Sequence, residues 1–143
     1  MKVFSTYHLP AELKARFKEH NIDYSENPHN RSLTTSEIIS YTSDADGIIT
    51  LLSDNINREV ISSLTKCKII ANYAVGYNNI DLVAAREKSI IVTNTPGILT
   101  DATAEITFAL ILACARRVKE GEEMVREGKF MGWKPELLLG RGL

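Results

Sequence analysis

Short apolar runs recur along the chain at a steady interval. They are Val3-Phe4, Ile22-Asp23-Tyr24, Ile48-Ile49-Thr50-Leu51-Leu52, Ile69-Ile70-Ala71 and Ile90-Ile91-Val92. Their centres lie roughly 20 to 25 residues apart, the length of a strand plus a crossover helix. The last three are continuous rather than alternating, as strands covered on both faces are. Helical patterns fill the gaps. Pro10 opens one that runs to His20, with Leu13 and Phe17 on one face. Thr34-Thr35-Ser36-Glu37 has the form of a capping box ahead of Ile38-Ile39. Asn57 can cap a helix over Arg58 to Leu64, and Asp81 one over Leu82 to Lys88. This alternation predicts an α/β fold with a doubly wound parallel sheet, and the flavodoxin-like strand order 2-1-3-4-5 is the expected one.

The pattern changes after Pro96-Gly97. Asp101 to about Arg126 reads as one long helix. Its first half, Ile106 to Ala113, is apolar nearly all round, which predicts burial on most sides. Its second half, from Arg116, is charged. The arm from Gly128 carries Phe130, Met131, Trp133 and Leu137-Leu138-Leu139, a large apolar surface for a tail with no evident partner in its own chain. The expected division is therefore 1–98 as an α/β domain and 99–143 as a helix and arm.

Composition narrows the function classes. Hydrophobic residues make up 44% and charged residues 24% of the 143, proportions of an ordinary globular domain. The formal net charge is −1 with scattered Lys and Arg, which argues against a nucleic-acid or anionic-membrane surface. The start lacks a signal-peptide layout, and the longest apolar stretch, Phe108 to Ala115, is too short for a bilayer. Cys67 and Cys114 do not make a disulfide framework, and they read as reduced, partly buried thiols of a cytoplasmic protein. No Cys/His spacing suggests a metal site.

In a doubly wound sheet, ligands bind at the carboxyl ends of the strands. In the expected order three loops meet there: Thr6-Tyr7-His8, Leu52-Ser53-Asp54 and Ala74-Val75-Gly76-Tyr77. Gly76 lets the backbone turn sharply and offer N–H groups to an oxygen anion, and a small carboxylate is the natural guest. A glycine after a strand is more often a plain turn, so the loop alone is weakly specific. His8 is the one histidine expected near this end, and a loop histidine is usually solvated. His20 ends a helix and His29 sits in a polar loop. Asp101 and Glu105 read as first-turn acids that suit the helix dipole.

The wider strings are more specific. Asn72-Tyr-Ala-Val-Gly-Tyr-Asn-Asn-Ile-Asp81, then Val92-Thr-Asn-Thr-Pro-Gly-Ile-Leu-Thr-Asp-Ala-Thr-Ala-Glu105, closely resemble the D-isomer-specific 2-hydroxyacid dehydrogenases, leaning toward the glyoxylate/hydroxypyruvate reductase branch. The resemblance covers essentially the whole chain. It implies a flavodoxin-like substrate domain from which the chain crosses into a Rossmann domain for NAD(H) or NADP(H), returning at the end to complete the first domain. It implies that the Val75 and Gly76 backbone holds the substrate carboxylate of a small 2-keto or 2-hydroxy acid, and that Leu52 lines the nearby wall. It places Val75 and Thr103 near the cofactor, and it gives the 101–126 helix and following arm to a homodimer or higher homo-oligomer.

The same resemblance marks what this sequence does not contain. Hydride transfer to a keto acid needs a held nicotinamide, a cation for the carboxylate and carbonyl, and a proton donor. In the family a Gly-rich phosphate loop, an arginine and a histidine paired to a glutamate supply these, all downstream of Leu143. No G-x-G-x-x-G occurs here. Two readings follow. One is the substrate-domain fragment of an NAD(P)-dependent oxidoreductase, inactive alone, with no tightly bound cofactor. The other is a naturally short module that binds carboxylates or drives oligomerisation.

Overall fold

The computed structural model describes residues 1–142. They form two compact units, residues 1–98 and a second that begins at Leu99. The first is a five-stranded parallel sheet of β1 (Lys2–Ser5), β2 (Asp23–Glu26), β3 (Gly47–Thr50), β4 (Ile69–Asn72) and β5 (Ile91–Thr93). Its order is β2-β1-β3-β4-β5, as the sequence predicts. The connecting helices are α1 (Ala11–Glu19), α2 (Thr35–Thr42), α3 (Arg58–Ser63) and α4 (Leu82–Glu87).

Helix starts follow their capping residues. Thr34 accepts from the Glu37 amide while the Glu37 side chain returns to the Thr34 amide, a complete capping box. Asn57 caps α3 and Asp81 caps α4 through the amides of Val60 and Ala84. Two strands sit later than the apolar runs imply: β2 starts at Asp23 rather than Ile22, and β5 at Ile91 rather than Ile90. Backbone pairing sets these bounds. Ile22 donates back to Phe17 and Ile90 to Ala85, so both close the preceding helical turn instead of joining the ladder.

Right-handed crossovers about this strand order send α1 to one face and α2, α3 and α4 to the other. The core lies on the three-helix face, where Phe4, Ile48 and Ile70 meet Ile38, Val60, Ile61, Ala84 and Ala85. Within this unit the opposite face carries α1 alone, and α1 has no buried residue. Between α1 and the sheet runs an apolar groove of about 380 Å³, lined by Leu9, Leu13, Phe17, Ile49, Ala71 and Thr93 among others.

The second unit corrects the single long helix. The chain forms α5 (Thr100–Ala115) and α6 (Val118–Arg126), separated where Arg117 takes a left-handed conformation at φ 55°. Nothing in Arg116-Arg117 marks a break, since Arg is a good helix former. The arm explains it: the Arg141 N–H donates to the Ala115 carbonyl at 2.8 Å, so the arm returns to occupy the helix end. Gly140 makes that approach possible, because a Cβ there would lie 2.3 Å from the Ala115 oxygen. Leu138 packs over Gly121, and Leu137 and Leu138 are half-buried. Part of the tail thus has a partner in its own chain, whereas Phe130, Met131, Trp133 and Leu139 stay exposed. Within the described residues α5 has no buried residue. The burial that an all-round apolar helix calls for is thus not supplied within the described residues of this chain.

Candidate functional site

The three loops expected to meet do so at the carboxyl ends of β1, β3 and β4, and a chain of hydrogen bonds ties them together. The Thr6 hydroxyl, after β1, donates to the buried Asp54 carboxylate after β3. The same Asp54 oxygen accepts from the Leu51 amide at 2.7 Å. Asn79, beyond β4, donates its side-chain amide to the carbonyls of Leu51 at 3.0 Å and Asp54 at 3.1 Å. Asn79 pairs in turn with Asn72, the last residue of β4, and the Thr50 hydroxyl donates to Asn72 Oδ1 at 2.8 Å. Among the described residues no buried side-chain polar atom is left without a partner.

This framework fixes the Ala74-Val75-Gly76-Tyr77 loop by its carbonyls. Thr95 N donates to Ala74 O at 2.9 Å, Asn94 Nδ2 to Val75 O at 2.8 Å, and Asn72 Nδ2 to Gly76 O at 2.8 Å. The described chain contains no cis peptide bond. Across a trans peptide the C=O and the following N–H point to opposite sides. The N–H groups of Val75 and Gly76 are therefore turned away from the 94–95 segment, and that of Tyr77 away from Asn72. None of the three meets an acceptor among the described residues. Successive amides left free in this way are donors that an anion can engage.

The conformation of Gly76 does not require a glycine. Its φ is not in the left-handed region, so the turn does not demand glycine. A Cβ would come within 3.4 Å of Leu52 Cδ1, which is ordinary contact. Local packing therefore does not demand glycine either, and Leu52, the neighbour it faces, is 56% exposed. Val75 is also exposed. The structure thus brings Leu52, Val75 and Gly76 to one place on the first unit. Thr103 lies in the second unit, in the first turn of α5, exposed, its N–H donating to Leu99 O at 2.9 Å.

His8 is less free than a solvated loop histidine. Its Nδ1 lies 3.1 Å from Glu26 Oε1 and its Nε2 3.3 Å from the His29 carbonyl. His29 also reaches this end, which the sequence does not suggest; both line a polar cavity of about 220 Å³ with Thr6, Asn27 and Asp54. Partial burial pushes the Glu26 carboxyl upward, but hydrogen bonds from Lys14, His8 and Tyr24 outweigh it and hold the pKa at about 2. Burial and the Glu26 hydrogen bond raise the Tyr24 phenol. Burial likewise raises the Cys67 thiol, while Cys114 is exposed rather than partly buried, because α5 is uncovered.

Sequence reasoning missed the bracing residues Asn72, Asn79, Asn94, Asp54 and Thr6. Asn72, Asn79 and Asn94 stand inside the two quoted strings, and Thr6 and Asp54 in two of the three loops, but nothing in spacing says that these side chains brace the loops. Among the described residues no group of His, Cys, Asp and Glu could hold a metal. No described helix is long and apolar enough to cross a membrane. The connection from β5 to α5, residues 94–99, has a single glycine, Gly97, and not the run of glycines that admits a pyrophosphate in a Rossmann turn.

Comparison with known proteins gives one consistent answer. The catalytic-domain profile of the D-isomer specific 2-hydroxyacid dehydrogenases matches residues 3–128. A glyoxylate reductase of Thermococcus litoralis is 41% identical over 147 residues, covering 99% of this chain and 44% of that protein. A crystal structure of a Thermus thermophilus protein superposes with a TM-score of 0.92 at 42% identity, over 99% of this chain and 45% of the other. A D-lactate dehydrogenase of Aquifex aeolicus, solved with NAD and lactic acid, aligns with a TM-score of 0.76 at 25% identity, over 99% of this chain and 41% of its own. The chain spans less than half the length of each of these relatives.

Proposed function

Because this chain belongs to the D-isomer-specific 2-hydroxyacid dehydrogenases, we propose that it is the substrate-domain portion of an NAD(P)-dependent enzyme that reduces a 2-keto acid such as glyoxylate or hydroxypyruvate. The observation that carries this reading is the 74–77 loop, whose carbonyls at Ala74, Val75 and Gly76 are engaged and whose N–H groups at Val75, Gly76 and Tyr77 are free among the described residues. A keto-acid carboxylate is a small planar anion, and fixed backbone amides bind it without side-chain entropy loss. In this reading Leu52, whose Cδ1 faces Gly76, lines the apolar side of the guest. When bound, NAD(H) or NADP(H) supplies the hydride. In this reading Val75 is near the nicotinamide end of the cofactor, Thr103 is a further residue near the cofactor, and the remaining machinery comes from residues outside this chain.

Two surfaces support the view that the chain works within something larger. The sheet face beside α1 is covered by one helix and retains an apolar groove, where a further segment of a longer protein completes the domain. The apolar residues of α5 and the arm are exposed, and we assign them to a homodimer or higher homo-oligomer. Two cysteines that form no disulfide fit a cytoplasmic setting.

Isothermal titration of the chain with glyoxylate and, separately, NADH tests the reading. Weak glyoxylate heat without NADH heat or NADH oxidation is the expected result. Robust NADH oxidation by the chain alone would overturn it. The absence of any glyoxylate binding, together with stable assembly, would favour an oligomerisation module instead.

A further inference from the structure

We infer that Asn94 and Asn72 are positioning residues for the carboxylate loop, acting through the backbone rather than by touching the substrate. The inference rests on the carboxylate reading of the 74–77 loop and adds to it the residues that set the loop's polarity. Three consecutive carbonyls, of Ala74, Val75 and Gly76, are engaged by Thr95 N, Asn94 Nδ2 and Asn72 Nδ2. The first is a backbone bond that any residue but proline supplies at position 95. The other two depend on side-chain amides, which alone among neutral side chains of this size offer two donors on one planar nitrogen.

Each engaged carbonyl fixes one peptide plane, and each plane fixes the N–H on its far side. Asn94 sets the Gly76 N–H by holding Val75 O. Asn72 sets the Tyr77 N–H by holding Gly76 O. The Ala74 carbonyl, held by Thr95, sets the Val75 N–H. A free loop would let these planes rotate, exposing carbonyl oxygens to an incoming anion as often as N–H groups. An engaged loop presents donors only, before the ligand arrives.

Asn72 is itself fixed. Its Oδ1 accepts from Thr50 Oγ1 at 2.8 Å and its Nδ2 also donates to Asn79 Oδ1 at 3.2 Å. This arrangement leaves one amide orientation, since the reverse would set two oxygens against each other at Gly76. Asn79 carries the constraint on to the carbonyls of Leu51 and Asp54, so the loop bearing Leu52 is placed by the same pair of asparagines.

The test uses the full chain labelled with ¹⁵N, with Asn94→Ala as the principal variant. Asn94 is only half-buried, so its loss leaves Val75 O to water and the fold intact. Residual dipolar couplings report the N–H directions of Val75, Gly76 and Tyr77 without ligand, and glyoxylate titration reports affinity. The expected result is an unchanged unfolding midpoint, a reoriented Gly76 N–H and glyoxylate binding weakened roughly fivefold to tenfold, the loss of about one net hydrogen bond. Asn94→Gln, which keeps the donor on a longer stem, should recover part of the affinity. N–H directions that stay put in Asn94→Ala overturn the positioning role whether or not glyoxylate binds. Directions that change, in a chain that never binds glyoxylate, sink the carboxylate reading and leave the plane-fixing role standing. Asn72→Asp, which keeps shape but removes the donor, should reorient the Tyr77 N–H in the same way, and an unchanged direction there overturns the second half of the inference.

Discussion

Asn72 Nδ2 donates to the Gly76 carbonyl at 2.8 Å from a residue that is 2% exposed. A buried amide at the end of a strand thus decides how the following loop faces. Replacing Asn72 by Ala strands three partners at once: the Gly76 carbonyl, the Thr50 hydroxyl and the Asn79 side chain. Water can reach the first of these but not all of them. The expected cost is about 2 to 4 kcal/mol, because buried polar groups left unpaired lose their full solvation. Urea unfolding of the variant against the unsubstituted chain measures it, and a difference under about 0.5 kcal/mol would show that the network does not hold the fold.

Gly76→Asp separates binding from folding. The backbone at Gly76 is not left-handed and a Cβ there meets Leu52 only at ordinary contact distance, so the fold should tolerate the change. The new carboxylate would stand in the space where the proposed guest sits and repel it. The expected outcome is a native-like amide spectrum with glyoxylate and oxalate binding lost. Ligand-induced shifts at Val75 to Tyr77 that persist in the variant would place the carboxylate site elsewhere.

The sequence made the frame of this molecule legible and left its joinery obscure. The alternation of strands and helices followed from the spacing of apolar runs, and three helix starts followed from Thr34, Asn57 and Asp81, because these signals are local; the order 2-1-3-4-5 was the expectation for such a fold, and the sheet has it. The asparagine network was invisible because Asn72, Asn79 and Asn94 act across loops that only the folded sheet brings together. The break at Arg117 was invisible for a related reason. It is fixed by the arm returning to Ala115, an approach that Gly140 permits, whereas local propensity favours continuing the helix. The sequence singles out the loop at Val75 and Gly76 by its place after β4 and by its string, but the sharp turn it attributes to Gly76 is not present, since the φ of Gly76 is not left-handed.

Glu26 should shape the acid limb of stability. Its pKa is held at about 2 against an ordinary 4.5, with Lys14, His8 and Tyr24 overcoming the effect of burial. A depressed carboxyl contributes stability that is fully present above its unfolded pKa and is lost as pH falls through the folded value. The contribution should therefore be complete above about pH 4.5 and decline toward pH 2. Glu26→Gln removes the charge at every pH, so the variant should be less stable than the unsubstituted chain at about pH 6, above the unfolded carboxyl range. The two should converge as the pH drops toward the folded value of about 2. Unfolding midpoints measured across this range check the sign, and parallel curves would show that Glu26 is not linked to folding.

Leu110→Lys examines the exposed helix. In a helix buried by its own chain, a lysine at this position would destroy the fold through an unpaired buried charge. Leu110 is instead 59% exposed, and α5 has no buried residue among those described, so the monomer should fold normally with the substitution in place. If α5 forms the proposed contact between copies, the cost falls on assembly alone. Light scattering should then show a smaller species for the variant at the same concentration. Cys114 gives a second reading of the same event. It is exposed on α5, whereas Cys67 is buried with its thiol pKa raised by burial. A thiol reagent should modify Cys114 quickly and Cys67 slowly in dilute protein. Raising the concentration of the unsubstituted chain should protect Cys114, and in Leu110→Lys it should not. Equal Cys114 rates at all concentrations in both proteins, with equal masses, would remove α5 from any self-association surface.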